Sequence, residues 1–183
     1  MKYFLGIDQS FTSTGIVVLD DIGAMIKFAT IKSDKQLDAF ERAWLISQEI
    51  SNSYINFYAP EMVGLEGLAF SKFGDATRDL AGLQFTLVNC LRHVHSYDEA
   101  DEELAPGTSV IIVSPNELKK FATGKGNAKK QQMVDCLPKN VLESFKKQNY
   151  KKTTGLYDLA DAYWIAKYTS EVFQRRSDAN SKT

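Results

Sequence analysis

The sequence predicts an α/β protein in which a five-stranded mixed β-sheet is covered by helices on both faces. The first observation behind this prediction is a series of three apolar runs joined by short turn-forming segments, which is typical of an antiparallel meander. The second is that strand and helix patterns alternate along the rest of the chain, which is typical of parallel strands joined by helices. The 183 residues are enough for one domain, which we place at residues 1–174, followed by a polar tail at residues 175–183.

The strands are predicted from short apolar runs rich in β-branched and aromatic residues. Residues 2–7 and 14–19 form the first two, and residues 24–32 alternate apolar with polar side chains, as a half-buried strand does. The turn formers at residues 20–23 predict a hairpin between the second and the third strand. The remaining two strands are predicted at residues 62–66 and 110–113.

The helices are predicted from apolar side chains that recur every three or four residues. This spacing covers residues 38–58, where Pro60 ends the pattern, and residues 75–95. A capping box at residues 114–117, with proline at the first helical position, predicts the start of a third helix. Two further helices are predicted at residues 128–137 and 158–173.

The positive charges are concentrated in one part of the chain. The formal net charge is −1, but residues 115–152 hold 10 lysines and 3 acidic residues, whereas residues 1–114 hold 8 basic and 16 acidic residues. A lysine-rich stretch on a nearly neutral protein indicates a surface that binds a polyanion such as nucleic acid. Lysines that only keep a surface solvated would give the same composition, so the charge alone leaves both interpretations open.

Cysteine use and the amino terminus indicate a cytoplasmic protein. Cys90 and Cys136 are far apart and belong to no CxxC or CxxxH pattern, so we expect reduced thiols rather than a disulfide or a zinc site. The first apolar run reaches Asp8 too soon for a signal peptide, and no run is long enough to span a membrane.

Four acidic residues are placed where the chain can bring them together. Asp8 follows the first strand and Glu66 ends the fourth, and these two strands can be neighbours in a mixed sheet. Asp158 and Asp161 are three residues apart on the last helix, so their side chains project to the same side. Taken singly, Asp8 could cap a turn, and the helical pair could serve the helix dipole.

Together, the four acids can form one metal centre. Ligand sets made only of carboxylate oxygens suit Mg²⁺ or Mn²⁺. Two such ions about 4 Å apart can bridge a phosphodiester and activate the water molecule that attacks it. Four carboxylates at close range repel one another, so a cation is an expected part of such a site.

Several segments of the chain match the sequence pattern of a known nuclease family. They are GIDQS at residues 6–10, LEG at 65–67, DLADA at 158–162 and, most specific because it is long and ordered, SPNELKK at 114–120 with TGKGNAKKQ at 123–131. In these segments the sequence resembles the RuvC family of Holliday junction resolvases, within the ribonuclease H and retroviral integrase superfamily, and the resemblance extends over residues 2–173. Two departures are Gln9-Ser10 in place of the family's usual proline-glycine and a lysine-rich insert at residues 142–155.

The resemblance implies a ribonuclease H-like nuclease domain that depends on Mg²⁺, for which Mn²⁺ substitutes. It implies that the catalytic metal ligands are Asp8, Glu66, Asp158 and Asp161. It also places Lys119 and Lys130 near the scissile phosphate, with Lys130 among the catalytic residues. We expect DNA to be contacted by Lys119, Lys120, Lys125, Lys129, Lys130 and Phe70. The Phe70 ring would either stack on an unpaired base or pack into the core.

The partners implied by the resemblance are branched DNA, above all four-way junctions, and a second copy of the chain. The family acts as a homodimer in which each subunit cuts one strand of the junction. The helix that begins near Asp75 is a possible interface, because Gly82, Phe85, Thr86 and Asn89 lie off its core face. We expect neither a membrane nor a small-molecule cofactor, and a role in DNA recombination and repair in a bacterial or phage-infected cell.

The function expected from the sequence is therefore that of a Holliday junction resolvase that hydrolyses phosphodiester bonds by a two-metal mechanism. A broader branched-DNA or flap endonuclease of the same fold stays open as an alternative, and so does a nucleic-acid binding module without catalysis. The turn after Asp8 also resembles the phosphate loop of sugar kinases and actin-like ATPases. Those enzymes need two such domains around a nucleotide, for which 183 residues are too few.

Overall fold

The computed structural model describes residues 1–68, 74–93 and 108–181. The strands in these parts of the chain are β1 (Tyr3–Asp8), β2 (Thr14–Asp20), β3 (Met25–Ile31), β4 (Met62–Glu66) and β5 (Ser109–Val113). They form one five-stranded sheet in the order β3-β2-β1-β4-β5. Strand β2 is antiparallel to both of its neighbours, β1 and β3. Strand β4 is parallel to β1, and β5 is parallel to β4. The predicted mixed sheet is confirmed.

The helices are α1 (Ala39–Ile50), α2 (Asn56–Tyr58), α3 (Asp75–His93), α4 (Pro115–Thr123), α5 (Lys130–Asp135), α6 (Lys139–Lys147) and α7 (Leu156–Asn180). A π-helical turn over Ser51–Ile55 joins α1 to α2. Ala59 then takes a left-handed backbone conformation with φ of 42° and stops the helix before Pro60. Among the described residues, no helix combines the length and the apolar character that crossing a membrane requires.

Two helices differ from the sequence prediction. Helix α6 was not predicted, because its apolar face is short and consists of Val141, Leu142 and Phe145 within a segment rich in lysine. The side chains of Val141 and Phe145 are buried, and the Phe145 ring packs on Phe28 of β3 at a centroid distance of 4.8 Å. Helix α7 continues through Asn180, beyond the predicted end at residue 173, because residues 174–180 include neither glycine nor proline. The division between a domain at 1–174 and a tail at 175–183 stays a prediction.

The sheet has helices on both faces, as predicted. On one face, Leu5 and Ile7 of β1 pack with apolar side chains of α1 and α3, such as Ile46 and Leu83. On the other face, Val17 and Leu19 of β2 pack with α5, α6 and α7. The alternation of side chains along each strand therefore fills both layers of the core.

Helix α7 lies directly on the central strands because glycine occupies the contact positions. A Cβ atom on Gly6 of β1 would overlap the carbonyl oxygen of Ala162, and one on Gly15 of β2 would overlap the carbonyl oxygen of Asp158. Only glycine permits such close backbone contact between a strand and a helix. The first turns of α7 are therefore held against the edge of the sheet at which β1 ends.

Strands β1 and β4 end side by side at this edge. They are parallel, with Ile7 paired to Leu65, so that Asp8 and Glu66 are the next residues on neighbouring strands. The antiparallel pairing of β1 with β2 places Gly15 opposite Asp8. The prediction that the first and fourth strands are neighbours is confirmed.

We expect Gly6→Ala to lower the free energy of unfolding by about 1–3 kcal/mol, because the new methyl group forces α7 away from the sheet. Urea denaturation followed by circular dichroism measures this change. Gly82→Ala on α3 is the matched control, since no atom lies within 4 Å of the added Cβ atom. The control should raise the stability by about 0.5–1 kcal/mol, as alanine does in place of an exposed helical glycine. Equal effects of the two substitutions would contradict the close-contact argument.

Candidate active site

Four acidic side chains meet at the edge of the sheet where β1 and β4 end. Asp8 and Asp161 are buried, with 7% and 5% of their surface exposed, and Glu66 and Asp158 are half-buried. The strand register brings Asp8 beside Glu66, and the contact between Gly15 and the Asp158 backbone brings α7 to the same place. The four acids singled out in the sequence therefore lie in one cluster.

Burial and mutual repulsion act on the charges of this cluster. Burial raises the pKa of Asp8 well above its usual value, and the negative charges of Glu66, Asp161 and Asp158 add to the effect. Burial also raises the pKa of Asp161, to about 6, and the pKa of Glu66 in the same direction. A side-chain hydrogen bond with Asp8 lowers the pKa of Glu66 and so opposes the effect of burial. The metal-free cluster thus holds protons that exposed carboxylates would lose.

One lysine supplies positive charge inside the cluster. The Nζ atom of Lys130 lies 3.5 Å from a carboxylate oxygen of Asp161. Burial lowers the pKa of Lys130, but Asp161, Asp8, Asp158 and Glu66 together outweigh it, so that the net change is upward. Lys130 therefore stays protonated. Lys130 is the first residue of α5, and the start of this helix is fixed by a 2.8 Å hydrogen bond that the backbone N–H of Lys129 donates to Gln132 Oε1.

The donor chemistry of the cluster fits a hard divalent cation, because all four side chains are carboxylates. In the described residues, however, no three Asp, Glu, His or Cys side chains stand close enough to one another to hold a metal ion in common. Lys130 brings one positive charge to four acids, and the pKa values of Asp8 and Asp161 stay raised because burial and the neighbouring acids outweigh it. A divalent cation would supply further positive charge to these side chains.

Comparison with solved structures gives matches over nearly the whole chain. Thermus thermophilus RuvC is 21% identical to this chain, with a TM-score of 0.67 over 96% of both chains. The structure of T. thermophilus RuvC in complex with a Holliday junction substrate gives 18% identity and a TM-score of 0.64 over 97% of this chain and 96% of that one. The yeast mitochondrial Holliday junction resolvase Ydc2 is 14% identical with a TM-score of 0.60, covering 88% of this chain and 75% of that one. Fowlpox virus resolvase, solved with its substrate Holliday junction DNA, is 15% identical with a TM-score of 0.54, covering 93% and 98%. The chain has the RuvC fold.

At these identities the likeness shows the fold, and the predicted ribonuclease H-like architecture is confirmed. Comparisons with protein-family models and with curated protein sequences give no match. The roles of individual residues in this RuvC fold therefore depend on their positions in the structure and stay proposals.

The other predicted DNA-binding residues divide into three groups. Lys119 of α4 is half-buried, and its charge lowers the pKa of Glu66, so it lies near the acids. Lys120, Lys125 and Lys129 are exposed on the same segment of the chain. None of them is among the charges that shift the pKa values of Asp8, Glu66 and Asp161. Phe70 lies outside the described residues, so its predicted stacking role stays a prediction.

Two glutamines at the cluster were not predicted as functional residues. The Nε2 atoms of Gln9 and Gln84 both donate hydrogen bonds to the backbone carbonyl of Glu66, at 3.1 and 3.0 Å. Gln9 is buried and follows Asp8, whereas Gln84 comes from α3. They hold the end of β4 beside the end of β1 and so position Glu66. A polar residue three or four positions from Leu80 and Leu87, on the apolar face of α3, was the signal in the sequence.

We expect the metal-free protein to lose stability as the pH rises from about 4 to about 6. The pKa of Asp161 is higher in the folded chain than in the unfolded chain, so the folded protein binds the proton more tightly and is favoured at the lower pH. Asp161→Asn should weaken this dependence, to which Asp8 and Glu66 also contribute, and should raise the free energy of unfolding at pH 7 in EDTA by about 1–3 kcal/mol. Urea denaturation across this pH range measures both effects.

The exposed Asp178 at the end of α7 provides a control for this measurement, as Asp178→Asn makes the same chemical change away from the cluster. The control should keep the wild-type dependence on pH. A wild-type dependence in Asp161→Asn as well would contradict the assignment of the effect to Asp161.

Proposed function

We propose that the protein is a Mg²⁺-dependent endonuclease that cuts four-way DNA junctions. The observation that carries this proposal is the meeting of Asp8, Glu66, Asp158 and Asp161 with Lys130 at one edge of a RuvC fold. Several carboxylates buried together lower the free energy of unfolding, so we expect them to serve a function. Phosphodiester hydrolysis with bound metal ions gives that reason.

The four carboxylates would hold the metal, and their number is enough for two ions. Mg²⁺, or Mn²⁺ in its place, would stabilise the negative charge that develops on the phosphoryl oxygens during hydrolysis. Asp8 and Asp161 would lose their protons when the cation binds, because the positive charge lowers their pKa values. The glutamine contacts to the Glu66 backbone would keep the ligand set aligned.

The lysines would bind the DNA backbone at the cutting site. Lys130 keeps its proton among the acids, so its ammonium group can donate a hydrogen bond to a phosphate oxygen. Lys119 lies close enough to Glu66 to serve the same phosphate or the next one. Lys120, Lys125 and Lys129 would neutralise neighbouring phosphates and release their counterions.

The choice of a branched substrate is supported by the structures of similar fold. T. thermophilus RuvC and fowlpox virus resolvase were each solved with a Holliday junction. We extend this substrate class to the present chain, with a role in recombination and repair in the cytoplasm of a bacterial or phage-infected cell. The alternative is a broader branched-DNA endonuclease of the same fold, which would also cut flaps at this site.

A homodimer would suit a substrate with twofold symmetry. The face formed by α1 and α3 carries two projecting rings, Phe40 and Phe85, which are 87% and 72% exposed. Beside them lies a groove of about 640 Å³ between the helices, lined by Ala43, Gly82 and Leu83 and also by the charged residues Asp38, Arg78 and Asp79. In a twofold dimer, a ring that projects from this face of one copy can enter the groove on the same face of the other copy. This agrees with the interface predicted on α3.

The proposed activity is tested with end-labelled four-way junctions, flaps and linear duplexes in the presence of Mg²⁺ or EDTA. We expect paired symmetric nicks in the junction with Mg²⁺ and none with EDTA. Asp8→Asn should bind the junction but cut it at least about a thousandfold more slowly, because several kcal/mol of transition-state stabilisation are lost. Asp178→Asn is again the control and should cut like the wild type.

The outcomes of this assay separate the candidate functions. Flap cutting at a rate equal to junction cutting would indicate a general branched-DNA nuclease. Binding of the junction without cutting in Mg²⁺ or Mn²⁺ would indicate a nucleic-acid binding module. Wild-type cutting by Asp8→Asn would remove Asp8 from the catalytic site.

The proposed dimer is tested by sedimentation equilibrium. Phe85→Ser should weaken self-association at least about tenfold, as the loss of a buried aromatic anchor does. Phe57→Ser on α2 is the matched control, because Phe57 is also 77% exposed but packs on Tyr58 at the other end of the sheet, beside Tyr3. The same dissociation constant for Phe85→Ser and the wild type would place the interface elsewhere.

A further inference from the structure

The lysine-rich insert forms a surface that the cutting site does not use. Residues 139–152 include five lysines and one acidic residue, Glu143. The lysines lie on α6 and on the loop that follows it, and all of them are exposed, namely Lys139, Lys146, Lys147, Lys151 and Lys152. None of them forms an ion pair with a carboxylate in the described parts of the chain.

This surface is fixed to the core. Val141 and Phe145 of α6 are buried, and the Tyr150 ring lies 6.1 Å from that of Phe28. The loop closes on itself, since the Lys151 amide donates a 2.7 Å hydrogen bond to Thr154 Oγ1. The lysine side chains therefore project from a defined backbone, and binding a partner would require little ordering of the chain.

The loop is also joined to the helix that carries two of the acids. The backbone amide of Leu156, the first residue of α7, donates a 3.0 Å hydrogen bond to the carbonyl oxygen of Lys151. Asp158 is two residues further along α7, a rise of about 3 Å. The backbone at Lys151 is thus fixed to the start of α7, the helix whose first turn carries Asp158.

We propose that Lys146, Lys147, Lys151 and Lys152 form a second phosphate-binding surface that holds a duplex arm of the branched DNA outside the cutting site. Closely spaced lysines without carboxylate partners match a polyanion, and duplex DNA presents its phosphates as an extended charged row. A rigid surface beside the acids would orient one arm relative to the scissile bond. This inference depends on the proposed function, because it deepens the recognition of the same substrate.

The experiment measures the affinity for a four-way junction as a function of salt concentration, with Ca²⁺ in place of Mg²⁺ to prevent cutting. The variant carries Lys→Gln substitutions at residues 146, 147, 151 and 152. We expect affinity at least about tenfold weaker near physiological salt and a salt dependence less steep by about 0.9 for each lysine that contacts a phosphate. Two double variants, Lys146→Gln/Lys147→Gln and Lys151→Gln/Lys152→Gln, divide the effect between α6 and the loop.

A matched control removes two positive charges elsewhere. Lys27 on β3 and Arg176 near the end of α7 are both exposed, and Lys27→Gln/Arg176→Gln should keep the wild-type affinity and salt dependence. Junctions with arms shortened to less than one helical turn test the arm contact itself, since the wild type and the variant should then bind alike. Thermal unfolding in the same buffer confirms that the variants are folded.

The outcomes for this surface differ from those for the proposed function. A wild type that neither binds nor cuts junctions would refute the proposed function. A wild type that binds and cuts, together with a four-lysine variant of unchanged salt dependence, would overturn only the second phosphate-binding surface. An equal loss of affinity on shortened arms would also overturn it, because the lysines would then act at the junction centre.

Discussion

The close contact of α7 with the central strands is the constraint on which the site depends. Gly6 and Gly15 leave room for the helix backbone, so α7 rests on the sheet without side chains between them. The helix then has one permitted position, because protein interiors are densely packed. Asp158 and Asp161 thereby reach the edge where β1 and β4 end. The geometry of a site for charged chemistry is thus set by contacts that carry no charge.

The charges at this edge oppose folding and favour binding. Desolvation and repulsion raise the pKa values of Asp8 and Asp161, and Lys130 offsets only part of this rise. Such a site gains stability when a cation enters, because binding to the folded state alone shifts the folding equilibrium. A bound metal ion would relieve the same repulsion that weakens the fold without it. Gln9 and Gln84 help to position Glu66, because they bond to its backbone carbonyl and do not occupy its carboxylate.

The sequence prediction succeeded where local pattern and packing agree, and failed where packing alone decides. The five strands and the start of α4 were predicted correctly, because apolar runs mark the strands and a capping box marks the helix. Helix α6 was missed because Phe145 and Val141 become informative only when Phe28 is known to face them. Gln84 was missed for a related reason, as its partner Glu66 is 18 residues away and on a strand.

The sequence by itself determined the five strands and the helices other than α6 along the chain, the presence of four acids at the ends of these elements and the concentration of lysine in one stretch. These properties depend on residues close together in the sequence, so hydrophobic periodicity and local sterics are enough to predict them. The tertiary structure decided which charges meet. It placed Lys130 at Asp161, left Lys125 at the surface and attached the lysine-rich loop to the start of α7. Burial and distance set the strength of such interactions, and both arise only when segments far apart in the sequence pack together.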